Sequence, residues 1–142
     1  MSVNPRFQDV VRQSWPKSGP RPKQRRDTRP REDVLDLVRA RCKGRCERCA
    51  QPLTGIHGGD PHHRKPRGAG GTRDPRINLP SNIVALCRPC HDWIESQRTA
   101  ALKDGWLVPR RANPARKEIR SRLHGVVLLS DDGRVEPIGG ES

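Results

Sequence analysis

The sequence has little of the apolar material that builds a protein core. Only 31% of its 142 residues are hydrophobic, and it contains one Phe, three Trp and no Tyr. Ordinary globular domains are roughly 45–50% apolar, so this composition excludes a large apolar core. A small domain of this kind needs an additional stabilising link in order to fold, and inside cells that link is usually a bound metal ion.

Long apolar runs are also absent. No stretch approaches the ~18 apolar residues of a transmembrane helix, which argues against a membrane protein. The first residues, MSVNPRFQDVVRQSW, contain no apolar segment of the kind found in secretory signals. We therefore expect a cytoplasmic protein whose five cysteines are reduced. In that setting, paired cysteines indicate metal binding rather than disulfides.

Acidic residues are scarce relative to basic ones. The chain has 16 Asp and Glu against 29 Lys and Arg, which gives a net charge of +13. This balance favours a polyanionic partner, and nucleic acid is the first candidate. A basic surface without a specific partner is the alternative. Residues 1–30 are predicted to form a basic, disordered tail, with a phosphate-binding arm as the other interpretation.

The patterns of apolar, turn-forming and capping residues predict a small α+β fold. The predicted elements are a helix that begins near Thr28 and ends around 42–44, strands over 62–67 and 82–87, one helix or two short ones over 88–105, a short helix within 112–124, and a hairpin over 126–138 that turns at Asp131–Gly133. We assign residues 31–110 to one compact domain. Residues 111–142 form a C-terminal extension that carries the hairpin.

Four cysteines form two CxxC pairs, which are Cys46 with Cys49 and Cys87 with Cys90. Two thiolate pairs at this spacing complete the tetrahedral ligand set of a structural Zn²⁺. The 37 residues between the pairs leave room for an inserted functional segment. Reduced core cysteines with coincident spacing are the alternative. The fifth cysteine, Cys42, is interpreted as a spare thiol.

Two adjacent histidines lie within this insert, and a third follows the second cysteine pair. A zinc frame brings His62 and His63 near His91, and Glu95 lies one helical turn after His91. His62, His91 and Glu95 are therefore predicted to hold a second divalent cation. Glu95 is equally compatible with a solvated helix position.

Adjacent side chains of an extended segment point to opposite sides, so His63 is expected to do a different job from its neighbour. Its ordinary pKa suits a general base at neutral pH. Arg64, Lys65 and Arg67 follow it and are predicted to bind phosphates of a nucleic acid. A solvated basic loop is the alternative for these three residues.

The pattern CERC … HHRKPRGAGG … NIVALCRPCHDWIE resembles the HNH endonucleases with a zinc frame, over about residues 40–108. The resemblance implies a ββα-metal fold in which two strands and a helix clasp one cation. It implies that His63 is the general base, that His62 and His91 are metal ligands, and that Asn82 fixes the loop and strand around His63. Some relatives carry a histidine where this chain has Glu95, which leaves the choice of metal open.

These observations together predict a metal-dependent endonuclease that hydrolyses DNA, with Mg²⁺, Mn²⁺, Ni²⁺ or Zn²⁺ as the catalytic cation. A zinc-stabilised DNA-binding module without catalysis is the main alternative, and RNA as substrate is another. The sequence is also similar to small HNH proteins of tailed bacteriophages. That similarity suggests a role in genome packaging, terminase subunits as partners and the cytoplasm of a bacterial host as the location.

Overall fold

The structure, a computed structural model, describes residues 29–54, 59–66 and 74–138. These residues form three α-helices and five strands arranged in two antiparallel sheets. In chain order the elements are α1 (Glu32–Cys42), β1 (Asp60–His63), β2 (Ile83–Leu86), α2 (Arg88–Ser96), α3 (Arg98–Asp104), β3 (Ile119–Ser121), β4 (Gly125–Leu129) and β5 (Val135–Pro137). The small α+β fold predicted from the sequence is confirmed. No helix in this described part of the chain is long and apolar enough to cross a membrane.

Strands β1 and β2 form a two-stranded antiparallel sheet that leads into α2, which gives the predicted ββα order. His62 lies opposite Val84, and His63 lies opposite Ile83. The first strand was predicted over 62–67, but it ends at His63. It ends there because the side chain of Asn82, not a strand backbone, accepts the N–H of Lys65 at 2.7 Å.

Helix α1 begins later than predicted, at Glu32 rather than near Thr28, and residue 28 lies outside the described residues. Its N-cap, Arg31, has an extended backbone and no side-chain cap. Pro30 disfavours a helical conformation for the residue before it, so the helix starts after the proline. The predicted end of the helix is confirmed, because Lys43 closes it in the left-handed region with a φ of 54°.

The helical region after β2 consists of two helices, one of the two arrangements predicted from the sequence. Gln97 separates α2 from α3, with a φ of −119° and a ψ of 56°. Gly105 ends α3 at a φ of 85°, a conformation that glycine adopts at little cost. A Cβ at this position would also clash with the carbonyl oxygen of Glu118. Both constraints restrict position 105 to glycine.

The C-terminal segment forms a three-stranded sheet in the order β3-β4-β5. The predicted hairpin is confirmed, and the Ser130 N–H donates to the Arg134 carbonyl at 2.9 Å across its turn. The predicted helix within 112–124 is wrong except for one 3₁₀ turn, Pro114–Arg116. Ile119 and Ser121 are buried, with an exposed residue between them. This alternation with a period of two favours a strand.

One apolar core joins the ββα unit to the C-terminal sheet. Its fully buried members include Leu86 of β2, Ile94 of α2, Trp106, Ile119 of β3 and Leu129 of β4. The C-terminal strands therefore supply part of the core on which the ββα unit rests.

Buried charged side chains supplement this small core. Glu47 is fully buried and accepts two hydrogen bonds from the Arg41 guanidinium, at 2.6 and 2.9 Å. It also accepts the Ala85 N–H at 2.8 Å and lies 3.0 Å from Nε2 of His124. Burial raises the pKa of the Glu47 carboxyl, but the hydrogen bonds from His124 and Arg41 outweigh it, so the pKa is lowered. Glu47 is therefore ionised at neutral pH, as a buried ion pair requires.

The surroundings of Arg64 argue against the phosphate-binding role predicted from the sequence. It is fully buried and donates hydrogen bonds to the carbonyls of Gly105, Ser81, Pro114 and Lys117, at 2.7–3.0 Å. Burial lowers the pKa of its guanidinium to about 9, so the group is still charged at neutral pH. Arg64 thus joins three other segments of the chain to the end of β1.

Replacement of Arg64 by Met removes the donors to these four buried carbonyls. Because each buried unsatisfied polar group costs about 1–3 kcal/mol, we expect the free energy of unfolding to fall by more than about 3 kcal/mol. Urea denaturation followed by circular dichroism measures this change, and the same substitution at exposed Arg110 is the matched control. An Arg64→Met protein with wild-type stability but weakened DNA binding would contradict the structural role.

Candidate functional site

The four predicted zinc ligands lie together in the structure. The sulfur atoms of Cys46, Cys49, Cys87 and Cys90 all lie within 4.8 Å of one another. Four sulfurs this close fit the tetrahedral geometry of a structural Zn²⁺. Cys42 is not part of this group, and its sulfur lies 3.5 Å from the Arg39 carbonyl oxygen.

The surroundings of the cysteine cluster favour a thiolate at Cys46, whereas the hydrogen bond to Cys46 raises the pKa of Cys90 and burial raises the pKa of Cys87. The Cys90 side chain donates to the sulfur of Cys46, and despite burial this bond and nearby backbone N–H groups lower the pKa of Cys46 to about 4. The Arg48 guanidinium lies 3.3 Å from the Cys90 sulfur and places a positive charge beside the cluster. A thiolate is the form of cysteine that binds a metal.

Four of the predicted site residues line a single cavity of about 320 Å³. The polar side chains in its wall are those of His62, His63, His91, Glu95 and Arg98. The ring centroids of His62 and His91 are 5.3 Å apart, with their planes nearly perpendicular. The cysteine frame and the ββα unit thus bring together residues that are distant in sequence, as predicted.

His62 is held with one ring nitrogen bound to the protein. Its Nε2 lies 3.2 Å from the carbonyl oxygen of Trp106. A carbonyl only accepts, so Nε2 carries the proton in this hydrogen bond and Nδ1 keeps a lone pair. Burial lowers the pKa of His62 to about 4, so the ring is neutral at neutral pH. A neutral imidazole whose second nitrogen is hydrogen-bonded has the arrangement typical of a metal ligand.

His63 is half-buried in the same cavity wall and has a different partner. Its Nε2 lies 2.8 Å from Oδ1 of Asn78. When Nε2 carries the proton, it donates to this oxygen, and Nδ1 then holds the lone pair. The neighbouring histidines are therefore held by different partners, in line with the different jobs expected of them.

Asn82 is fully buried and fastens the chain around His63. Its Oδ1 accepts the Lys65 N–H at 2.7 Å, while its Nδ2 donates to the carbonyls of Ile77 at 2.8 Å and Lys65 at 3.2 Å. These bonds join the residues just after His63 to the loop that carries Asn78. This is the position expected of a residue that fixes the loop and strand around His63.

The three residues predicted to hold the catalytic cation do not all lie close together. Within residues 29–54, 59–66 and 74–138, the four cysteines form the only group of three or more potential metal ligands within 4.8 Å of one another. Glu95 lies in the cavity wall but is more than half exposed and is 3.7 Å from Arg98. The structure therefore brings the two imidazoles together and leaves the carboxylate outside their immediate cluster.

The basic residues at the cavity differ from those expected. The ammonium group of Lys65 is 2.8 Å from the Asp74 carboxylate, and Arg67 lies outside the described residues. Arg98 lines the cavity but was missed. Its signal in the sequence is a basic residue three positions after Glu95, close enough for the two side chains to pair. Asn78 was also missed, because an Asn in a loop is usually a turn residue.

Residues 46–97 match the family described as HNH endonuclease. The matched segment includes both cysteine pairs, His62, His63, Asn82 and His91, so the resemblance to HNH endonucleases is confirmed. The match supports a nuclease or DNA-binding role. A search of curated proteins gives no match to the chain.

The cysteine cluster predicts that the fold depends on zinc. Cys49→Ser removes one of the four ligands, and since the binding free energy of a structural zinc is folding free energy, we expect loss of the cooperative thermal transition. Cys42→Ala, which changes the cysteine outside the cluster, is the control and should retain one zinc per chain by elemental analysis. A zinc-free wild-type protein with a cooperative melt and unchanged circular dichroism would contradict this dependence.

Proposed function

We propose that this protein is a metal-dependent HNH endonuclease that hydrolyses phosphodiester bonds of DNA. The observation that carries the proposal is the cavity in which His63 lies beside the paired rings of His62 and His91, on a ββα frame. The match of residues 46–97 to the HNH family supports the same conclusion.

The residues that would hold the catalytic cation are His62 and His91, with Glu95 in the same wall. The donor set of two imidazoles and a nearby carboxylate suits Mn²⁺, Ni²⁺ or Zn²⁺ as well as Mg²⁺ with further water ligands. When bound, such a cation stabilises negative charge on a phosphoryl group and on its leaving oxygen. The hydrogen bond from His62 to the Trp106 carbonyl fixes the ring orientation for this role.

His63 acts as the general base in this proposal. Its lone pair takes a proton from a water molecule, and the water oxygen attacks phosphorus opposite the bond that breaks. The bond between phosphorus and the 3′ oxygen is cleaved, which leaves a 5′-phosphate and, after proton uptake, a 3′-hydroxyl. Asn78 orients the imidazole through the 2.8 Å contact at Nε2.

Arg98 is the basic side chain best placed to bind the substrate phosphate. It lines the cavity, is exposed, and makes only a loose 3.7 Å ion pair with Glu95. A guanidinium presents several donors in a planar fork that matches two phosphate oxygens. Arg98 thus takes over the phosphate-binding role that the sequence had suggested for Arg64.

One observation favours a second candidate, a DNA-binding module without catalysis. Glu95 does not join the two imidazoles in a three-ligand cluster within the described residues. Such a module would keep the cysteine frame and the positive charge but would have no need of the paired histidines. A role in phage genome packaging with terminase subunits remains part of the proposal, supported by the sequence resemblance alone.

Relaxation of supercoiled plasmid tests the catalytic role of His63. With Mg²⁺, Mn²⁺ or Ni²⁺ added in turn, we expect His63→Ala to nick at least about a hundredfold more slowly than wild type, because a general base contributes about 10²–10⁴-fold. His57→Ala, which changes a histidine to which the sequence pattern assigns no role, is the control. Equal cleavage by His63→Ala and wild type would contradict this assignment. Salt-sensitive DNA binding without cleavage by any variant would favour the binding module.

Asn78 provides a separate test of how His63 is oriented. We expect Asn78→Ala to lower kcat by about tenfold to a hundredfold, less than loss of the base itself, with KM changed less than about twofold because the amide is not assigned to substrate binding. Asn78→Asp keeps an acceptor oxygen and should retain most of the kcat. Wild-type kcat in Asn78→Ala, or equal losses in both variants, would show that the contact does not position the base.

A further inference from the structure

A second groove lies between the first cysteine pair and the C-terminal sheet. It has a volume of about 410 Å³. Three arginines line it: Arg48 from the CxxC loop, Arg120 from β3, and Arg122 just beyond that strand. The prediction from the sequence placed phosphate binding at residues 64–67 and assigned no role to these three arginines.

The charges of this groove are largely unneutralised. Arg120 and Arg122 are exposed, and among the described residues neither has a carboxylate within ion-pairing distance. Other exposed arginines, such as Arg39 and Arg134, do pair with carboxylates. Asp104 is the one acidic residue in the lining. The groove therefore carries a net positive charge that is open to an anionic ligand.

The arginines are held on a rigid frame. The guanidinium of Arg48 lies 3.6 Å from the centroid of the Trp93 ring, and it is also hydrogen-bonded to the sulfur of Cys90. The carbonyl oxygen of Arg48 accepts the backbone N–H of Arg122 at 3.1 Å. The CxxC loop and the C-terminal sheet are thus joined directly at the groove. The Arg48 side chain, held in this way, loses less freedom when a ligand binds.

The groove adjoins the candidate active-site cavity through shared chain segments. Trp106 lines the groove, its carbonyl oxygen binds His62, and the next residue, Leu107, lines the cavity. Trp93, which stacks on Arg48, lies two residues after His91 on α2. The groove and the cavity are thus built from neighbouring residues of the same two chain segments.

We propose that this groove binds the phosphate backbone of a DNA duplex, at phosphates on one side of the bond that is cleaved. Duplex DNA carries one negative charge per ~1.7 Å of its axis, so a duplex in the cavity offers further phosphates to Arg120 and Arg122. Guanidinium groups bind phosphate oxygens in pairs of hydrogen bonds. The inference rests on the proposed function for its choice of DNA as the ligand.

The salt dependence of DNA binding tests this inference without requiring cleavage. All proteins carry His63→Ala, so that the duplex stays intact, and affinity for a fluorescein-labelled duplex is measured by anisotropy over about 50–200 mM salt. The variant is Arg120→Gln with Arg122→Gln. Loss of two phosphate contacts should lower the slope of log K against log salt by about 1.8. Both residues are exposed, so we expect circular dichroism and zinc content to be unchanged.

Two further double variants distinguish the loss of groove contacts from a general loss of positive charge. Arg39→Gln with Arg134→Gln removes the same charge from arginines that already pair with carboxylates, and it should change the slope by less than about 0.5. Arg120→Lys with Arg122→Lys keeps the charge and should keep most of the slope. An unchanged slope in the groove variant, or a change equal to that of the control, would overturn the inference. If the groove variant lost binding to poly-glutamate but kept its DNA binding, the inference would also be overturned, in favour of an acidic protein partner.

The outcome is separable from that of the proposed nuclease activity. If the wild type cleaves DNA, the groove variant should raise KM at least about threefold with little effect on kcat, because the contacts lie away from the reacting bond. If the wild type does not cleave, the binding slopes still decide the role of the groove. A wild-type slope together with a lowered kcat would reject the groove as a binding surface.

Discussion

The carboxylate of Glu47 is the interaction on which most of this structure depends. Glu47 lies between two zinc-ligating positions, and its side chain binds Arg41 of the first helix, the backbone of Ala85 in the second strand, and His124 near the C-terminal sheet. Its backbone N–H and carbonyl also bind, to Ala85 and Ser121. One residue thereby joins the cysteine loop to the first helix, the second strand and the C-terminal sheet. In a chain with so few apolar residues, buried polar contacts of this kind provide stabilisation that larger domains obtain from apolar packing.

The features that were predictable from the sequence are those that depend on spacing and local preference. The two cysteines of each CxxC pair are close in sequence, and the geometry of zinc requires the two pairs to meet. The hairpin turn and the glycine that ends the third helix follow from backbone conformations that few residues adopt. The zinc frame also implied that His62 and His63 would lie near His91. These predictions needed no knowledge of distant contacts.

The predictions that were wrong concern residues whose role is set by distant parts of the chain. Arg64 follows the paired histidines in a basic run, where a phosphate contact was the natural interpretation. Its hydrogen-bond acceptors are carbonyls 17 to 53 residues away in sequence. No local sequence pattern predicts these contacts. The strand at Ile119–Ser121 was missed for a related reason, since three residues are too few for a clear period. Asn78 gave no signal because its importance comes only from its contact with His63.

The attachment of the C-terminal sheet to the cysteine loop has a consequence for the order of assembly. The N–H of Arg122 and the hydroxyl of Ser121 bind carbonyls of that loop, and Ile119 and Leu129 complete the core beneath it. A chain still under synthesis lacks these partners until residues 119–129 have been made. The ββα unit that carries the histidines therefore reaches its final rigidity only after the C-terminal sheet has formed. This arrangement makes the completed histidine cavity depend on strands that follow it in the chain.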